Sequence, residues 1–135
     1  MNTNRAEYLT HDGVMTSEIS DLLICAPKGI FVDATYGFGS HFKYFSENHS
    51  HLSFIGFDRD EEAVNNSHES HNVEHINFSK INTYLEFKKI DTISGIFYDF
   101  GVSSHQIDSP YRGFSFQQDS QLDMRMDLSQ EQSAK

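Results

Sequence analysis

"FVDATYGFGSH", residues 31–41, runs from apolar side chains into an aspartate and then breaks at two glycines one residue apart. A glycine turn after a strand lets the backbone approach a ligand closely, and the helix that follows offers unpaired N–H groups and the positive end of its dipole. Gly37 and Gly39 supply the turn, but Ser40 stands where a third glycine would complete a dinucleotide fingerprint. Taken alone, the stretch fits either a cofactor seat or a plain bend between strand and helix.

The segments on either side decide between these readings. Three apolar runs, "GIFVDA" (29–34), "LSFIGFD" (52–58) and "ISGIFYDFG" (93–101), each contain an aspartate followed by turn or helix-start residues. Their continuous rather than alternating hydrophobicity predicts buried parallel strands covered on both faces by helices. Segments 39–48 and 60–71 have the length for crossover helices, and "EHINFS" (74–79) reads as a weaker strand. Upstream, Met15, Ile19, Leu22 and Leu23 fall at helical spacing within 14–25, ended by Pro27 and Gly29. The element order is therefore α-β-α-β-α-β-α-β, an α/β class. From Gly101 to Lys135 the chain is loop-rich and could form a lid or binding surface.

In this frame Asp33, Asp58 and Asp99 end strands on one rim, outside the carboxyl ends of the sheet, where open α/β folds bind ligands. Asp58 follows the glycine turn by about twenty residues, the spacing at which a nucleoside-binding protein places a ribose-binding acid. Helix N-capping is the alternative role for Asp58, since "RDEEAV" follows it. An all-acid rim suits a cationic ligand better than a pyrophosphate, favouring a sulfonium nucleoside such as S-adenosylmethionine over NAD or ATP. His41, in the first helical turn, either faces that ligand or packs.

The remaining features are read more plainly. At 135 residues the chain has the length of one domain, with 10 Lys and Arg against 20 Asp and Glu and a net charge of -10. That balance repels polyanions, so any grip on nucleic acid phosphates must come largely from elsewhere. No apolar run approaches the roughly 18 residues of a membrane span, which predicts a soluble, cytoplasmic protein with no membrane partner. Cys25 has no second thiol and is expected as a small buried hydrophobe. His68, His71 and His75 could stack on one helix face, though a solvated helix end suits them better than a metal site. No nucleophile elbow or Cys–His pair supports a covalent nucleophile.

With "DATYGFGSH", "FDRD", "YDFGVSSHQID", "RGFSF" and "LDMRMD" in this order, the chain resembles the bacterial S-adenosylmethionine-dependent methyltransferases that modify a cytosine N4 amine of 16S ribosomal RNA. The likeness runs from about His11 to the last residue. It implies a partial Rossmann-like class I methyltransferase sheet of about four parallel strands, ordered 3-2-1-4, in a single truncated domain whose loop-rich 101–135 segment serves the active site. It places cofactor contacts on Gly39, Ser40, His41, Asp58, Phe78, Asp99 and Gln106, beside Asp33 and Gly37 of the rim. The glycine turn would face the methionine end and Asp58 the ribose. Asp99 is the candidate catalytic proton acceptor, although cofactor binding explains it equally well. Arg112 and Arg125 are candidates for phosphate contacts or for ion pairs with Asp108, Asp119 or Asp123.

The family usually has glycine at Ser40, proline at Gly13 and His105, and Gly-Pro at Ser120 and Gln121. A Cβ at position 40 would crowd the cofactor or strain the backbone if the site needed positive φ. Members of the family are much longer, so the chain looks like an N-terminal half: part of an RNA methyltransferase working with the small ribosomal subunit, inactive alone, or else a cofactor-binding or interaction remnant. The fold leaves "SGIFYDF" as an apolar edge strand, with self-association as the expected consequence.

Overall fold

The computed structural model describes residues 13–134; His11, where the resemblance begins, lies outside the described residues. The chain divides between Asp99 and Phe100 into two compact units. The first contains α1 (Thr16–Leu23), β1 (Gly29–Asp33), α2 (Ser40–Asn48), β2 (Leu52–Asp58), α3 (Glu61–Asn65), β3 (Val73–His75), a 3-10 turn (Phe78–Lys80), α4 (Ile81–Phe87) and β4 (Gly95–Phe97). The second holds α5 (Ser104–Asp108) and a 3-10 turn (Pro110–Arg112), with the rest irregular.

The sheet is parallel throughout and ordered β3-β2-β1-β4. From β1 the chain steps to one side through β2 and β3, then returns to lay β4 on the other side of β1. The reversal between β1 and β4 is the switch point at which such sheets open a crevice. Successive strand residues point to opposite faces, and the core follows. Val32 packs with Ala34, Ile55, Phe57 and Ile81 in one cluster, while Phe31 packs with Leu23, Phe45 and Leu52 in another. Helices supply the second half of each cluster: α4 through Ile81, and α1 and α2 through Leu23 and Phe45. This is why β1 and β2 carry apolar side chains at nearly every position.

The structure differs from the sequence reading in four places. Of the four apolar positions assigned to the first helix, Ile19 and Leu23 pack inward, four residues apart, while Leu22 is exposed and Met15 precedes the helix in a left-handed conformation. Cys25 falls after α1 ends and is exposed, not buried. β4 has three residues and ends the sheet, so Ile96 is 38 % exposed and the strand lacks the cover expected for it. β3 is equally short, and the chain turns into the 3-10 element at Phe78 because Asn77 caps it, its side-chain oxygen accepting from the Ser79 amide at 3.0 Å. Among the described residues no helix is long and apolar enough to cross a membrane.

Candidate functional site

Beyond β1 the chain is held from both sides: the Ala34 amide donates to the Phe97 carbonyl and the Tyr36 amide to the Phe57 carbonyl, each at 2.9 Å. The next residues form the glycine turn, with φ of 57° at Gly37 and 79° at Gly39, a region glycine enters without steric cost. Gly39 is constrained twice over. A Cβ there would collide with the Tyr36 ring, which is folded beneath the turn and buried. Tyr36 is itself anchored: its hydroxyl lies 2.8 Å from His71 Nδ1, and its ring meets Phe42 edge-on at 5.4 Å. Ser40 is the first residue of α2, and among the described residues the positive-φ positions outside glycine are Met15, Lys89 and Met124. The strain anticipated from a side chain at position 40 is therefore absent.

Asp58 closes the turn from β2. Its Oδ2 accepts from the Gly37 amide at 2.7 Å and its Oδ1 from the Asp60 amide at 2.8 Å. Capping of α3 falls to Asp60, whose side chain accepts from the Glu62 amide, so the capping alternative for Asp58 does not hold. Burial raises the Asp58 carboxyl above its usual value, against the backbone hydrogen bonds that lower it. A carboxylate has about four acceptor positions, so each oxygen retains capacity after these two bonds.

Asp33 sits deeper, at 2 % exposure. Its Oδ1 accepts from the Thr35 amide at 3.1 Å, while Oδ2 is buried with no hydrogen-bond partner. Burial, with smaller contributions from the charges of Asp58 and Asp99, pushes its carboxyl up to about 7. Asp99 is pinned by its own amide, which donates to Thr35 Oγ1 at 2.7 Å, while its carboxylate is about half exposed. Its Oδ2 lies 3.9 Å from Nδ1 of His41. The buried His41 ring stacks on Phe45 and turns Nε2 to the Val14 carbonyl at 2.9 Å, so Nε2 carries the proton and Nδ1 faces the acid. A Cβ on Gly13 would strike this ring, which gives the departure at position 13 a physical counterpart.

Phe78 is partly exposed and meets the Tyr98 ring edge-to-face at 6.0 Å, so two aromatic rings belong to this end of the unit. Asp33, Gly37, Gly39, Ser40, His41, Asp58, Phe78 and Asp99 thus all lie in the first unit, at or just beyond strand ends. Gln106 belongs to the second unit, where its buried amide completes a capping box: Oε1 accepts from the Ser103 amide and Ser103 Oγ from the Gln106 amide.

Both arginines are committed within the second unit. Arg125 grips Asp123 with two bonds of 2.9 and 2.8 Å and donates to the Leu128 and Gln130 carbonyls. Arg112 is completely buried, its Nη2 donating to the Arg125 and Met126 carbonyls at 3.0 Å. The ion-pair alternative holds for Arg125, with Asp123, while Arg112 donates to backbone carbonyls. The three histidines share no helix face: α3 stops at Asn65, His68 and His71 lie in the turn that follows with their rings 5.3 Å apart, and His75 ends β3. Among the described residues no group of His, Cys, Asp or Glu is placed to hold a metal. Sequence reasoning missed Thr35 and Tyr36, and assigned His71 to a solvated helix end instead of to Tyr36. Thr35, two residues after an aspartate, carried a turn signal, whereas the Tyr36–His71 contact spans 35 positions and left none.

A parallel sheet ordered 3-2-1-4, with a glycine turn after β1 and acids ending β1 and β2, defines a partial Rossmann-like methyltransferase fold. The chain belongs to the MraW methylase family, whose model matches residues 8–135. It is similar to proteins named ribosomal RNA small subunit methyltransferase H: 45% identical over 124 residues to that of Caldicellulosiruptor saccharolyticus, covering 87% of this chain and 40% of the relative. It is 42% identical over 134 residues to that of Lactobacillus gasseri, covering 90% and 42%, and 39% identical over 133 residues to that of Halothermothrix orenii, covering 93% and 43%. The chain therefore spans less than half the length of these relatives.

Proposed function

We propose that this chain carries the S-adenosylmethionine-binding part of a methyltransferase that modifies the exocyclic N4 amine of a cytosine in small-subunit ribosomal RNA. The carrying observation is the acid rim at the switch point, where the buried Asp33 keeps an oxygen without a hydrogen-bond partner beside the glycine turn. A cationic ligand is what such a rim lacks, and the residues present fit one. The cofactor supplies an activated methyl on a sulfonium. Gly37 to His41 bring backbone close to its methionine end, Asp58 accepts from the ribose hydroxyls, and Phe78 and Tyr98 offer ring surface to the base. A cytosine amine has its lone pair delocalised into the ring, so the protein must hold it in line with the methyl and take up the proton it loses. Asp99, with its carboxylate half open to solvent, is the acceptor in this reading. The net charge of -10 assigns most of the phosphate grip to surfaces outside this chain.

Calorimetric titration tests the cofactor assignment. Asp58→Ala removes charge-assisted bonds worth roughly 1.5–3 kcal/mol and is expected to weaken S-adenosylmethionine binding at least tenfold. Equal affinity in variant and parent would reject the role of Asp58. Because Asp58 also holds the Gly37 amide, a melting curve on the same sample separates loss of the ribose contact from loosening of the turn.

A further inference from the structure

An ionised carboxylate in a protein interior is stable only when its oxygens are matched by donors or by opposite charge; otherwise the group takes a proton and becomes neutral. Asp33 has one donor, the Thr35 amide on Oδ1, while Oδ2 is buried without a hydrogen-bond partner. Its ionisable surroundings make matters worse for a negative charge. Asp58 ends the neighbouring β2, Asp99 follows β4 on the other side, and both charges act on Asp33. From α2, His41 directs Nδ1 to Asp99.

We propose that Asp33 is a neutral acid in the ligand-free chain and gives its proton to solvent when the cationic end of the cofactor reaches the rim, so that cofactor binding and proton release are one event. This rests on the reading of the rim as a cofactor seat. The O–H bond at Oδ2 breaks, the proton leaves to buffer, and the carboxylate left behind is matched by the incoming positive charge. The same burial that raises the Asp33 carboxyl to about 7 makes the exchange consequential near neutrality. Two cations of the cofactor could do this, the sulfonium and the α-ammonium. S-adenosylhomocysteine keeps the ammonium and lacks the sulfonium charge, so it distinguishes them.

The experiment is calorimetric titration of the chain with S-adenosylmethionine and with S-adenosylhomocysteine at pH 6, in buffers of different ionisation enthalpy. About one proton should be released per cofactor bound, and the affinity should rise by close to tenfold per pH unit between pH 5 and 7. Asp33→Asn keeps the bond to the Thr35 amide and has no proton to lose, so its affinity should be flat across that range. Release with both ligands assigns the effect to the ammonium; release with S-adenosylmethionine alone assigns it to the sulfonium. Binding without proton release would overturn this inference and leave the cofactor seat standing, whereas no binding of either ligand would overturn both. Carbon-13 NMR of the aspartate carboxyls in the ligand-free chain needs no variant and no ligand. An Asp33 signal titrating in the ordinary carboxylate range would contradict the proposal outright.

Discussion

Asp33 and Asp123 are the same side chain under opposite conditions. In the second unit Asp123 receives two bonds from the Arg125 guanidinium and one from its amide, which hold its carboxyl down at about 2. In the first unit Asp33 receives one backbone bond and two negative neighbours, and burial raises it to about 7. In the 100–134 segment, loop-rich as it is, Arg112 and Arg125 stitch carbonyls from 125 to 130 together. At the rim of the sheet Asp33 Oδ2 is buried, with no hydrogen-bond partner and no guanidinium beside it among the described residues. The two aspartates thus differ in what surrounds them: a guanidinium partner at Asp123, and burial beside like charges at Asp33.

Breaking the self-sufficient region should have the larger effect. Arg112→Met removes a buried guanidinium and leaves the Arg125 and Met126 carbonyls without their donor, at a cost of about 4 kcal/mol. Exchange of the Met124 amide, which donates to the Arg112 carbonyl, should then accelerate by roughly a thousandfold. Unchanged protection there would show that the arginine is dispensable to the segment.

A smaller effect, with a characteristic pH signature, belongs to the rim. The Asp33 carboxyl stands at about 7 when folded against 3.8 for a free one, so the folded state binds more protons in that window. Its contribution is fully present below about pH 4 and is lost as pH rises through about 7. Asp33→Asn lacks this loss. Its stability relative to the parent should therefore improve by up to about 1.4 kcal/mol per pH unit between those limits, as read from urea melts at pH 5 and pH 7.5. The Asp123 pair behaves oppositely, contributing above pH 3.8 and losing that contribution as pH falls through about 2. A difference between Asp33→Asn and parent that is constant with pH would erase the contrast between the two aspartates.

What was legible in the sequence follows from where the signals were local. β2 was read to the residue because an unbroken apolar run ends at an aspartate; Asp33 and Asp58 end their strands as expected, whereas Asp99 lies two residues past the end of β4. β3 and β4 were read too long because edge strands need fewer apolar residues on both faces and give way early to caps such as Asn77. The α3 region was read as a longer helix because nothing local reveals that Asp60 starts a helix of only five residues. Two features of the site were invisible for a different reason: that Gly39 is required by Tyr36, and Tyr36 held by His71, depends on contacts between distant parts of the chain. The complete burial of Arg112 is equally nonlocal, since a charged residue in a polar segment reads as surface.

Amide NMR of the isotopically labelled chain, titrated with S-adenosylhomocysteine, tests most directly whether the rim is the cofactor seat. The expected result is a contiguous set of shifted signals at Asp33 to His41, at Asp58 to Asp60, and at Phe78, Tyr98 and Asp99, saturating with a single affinity. Shifts confined to α4 or scattered over the 100–134 segment, or a spectrum unmoved at millimolar ligand, would contradict it.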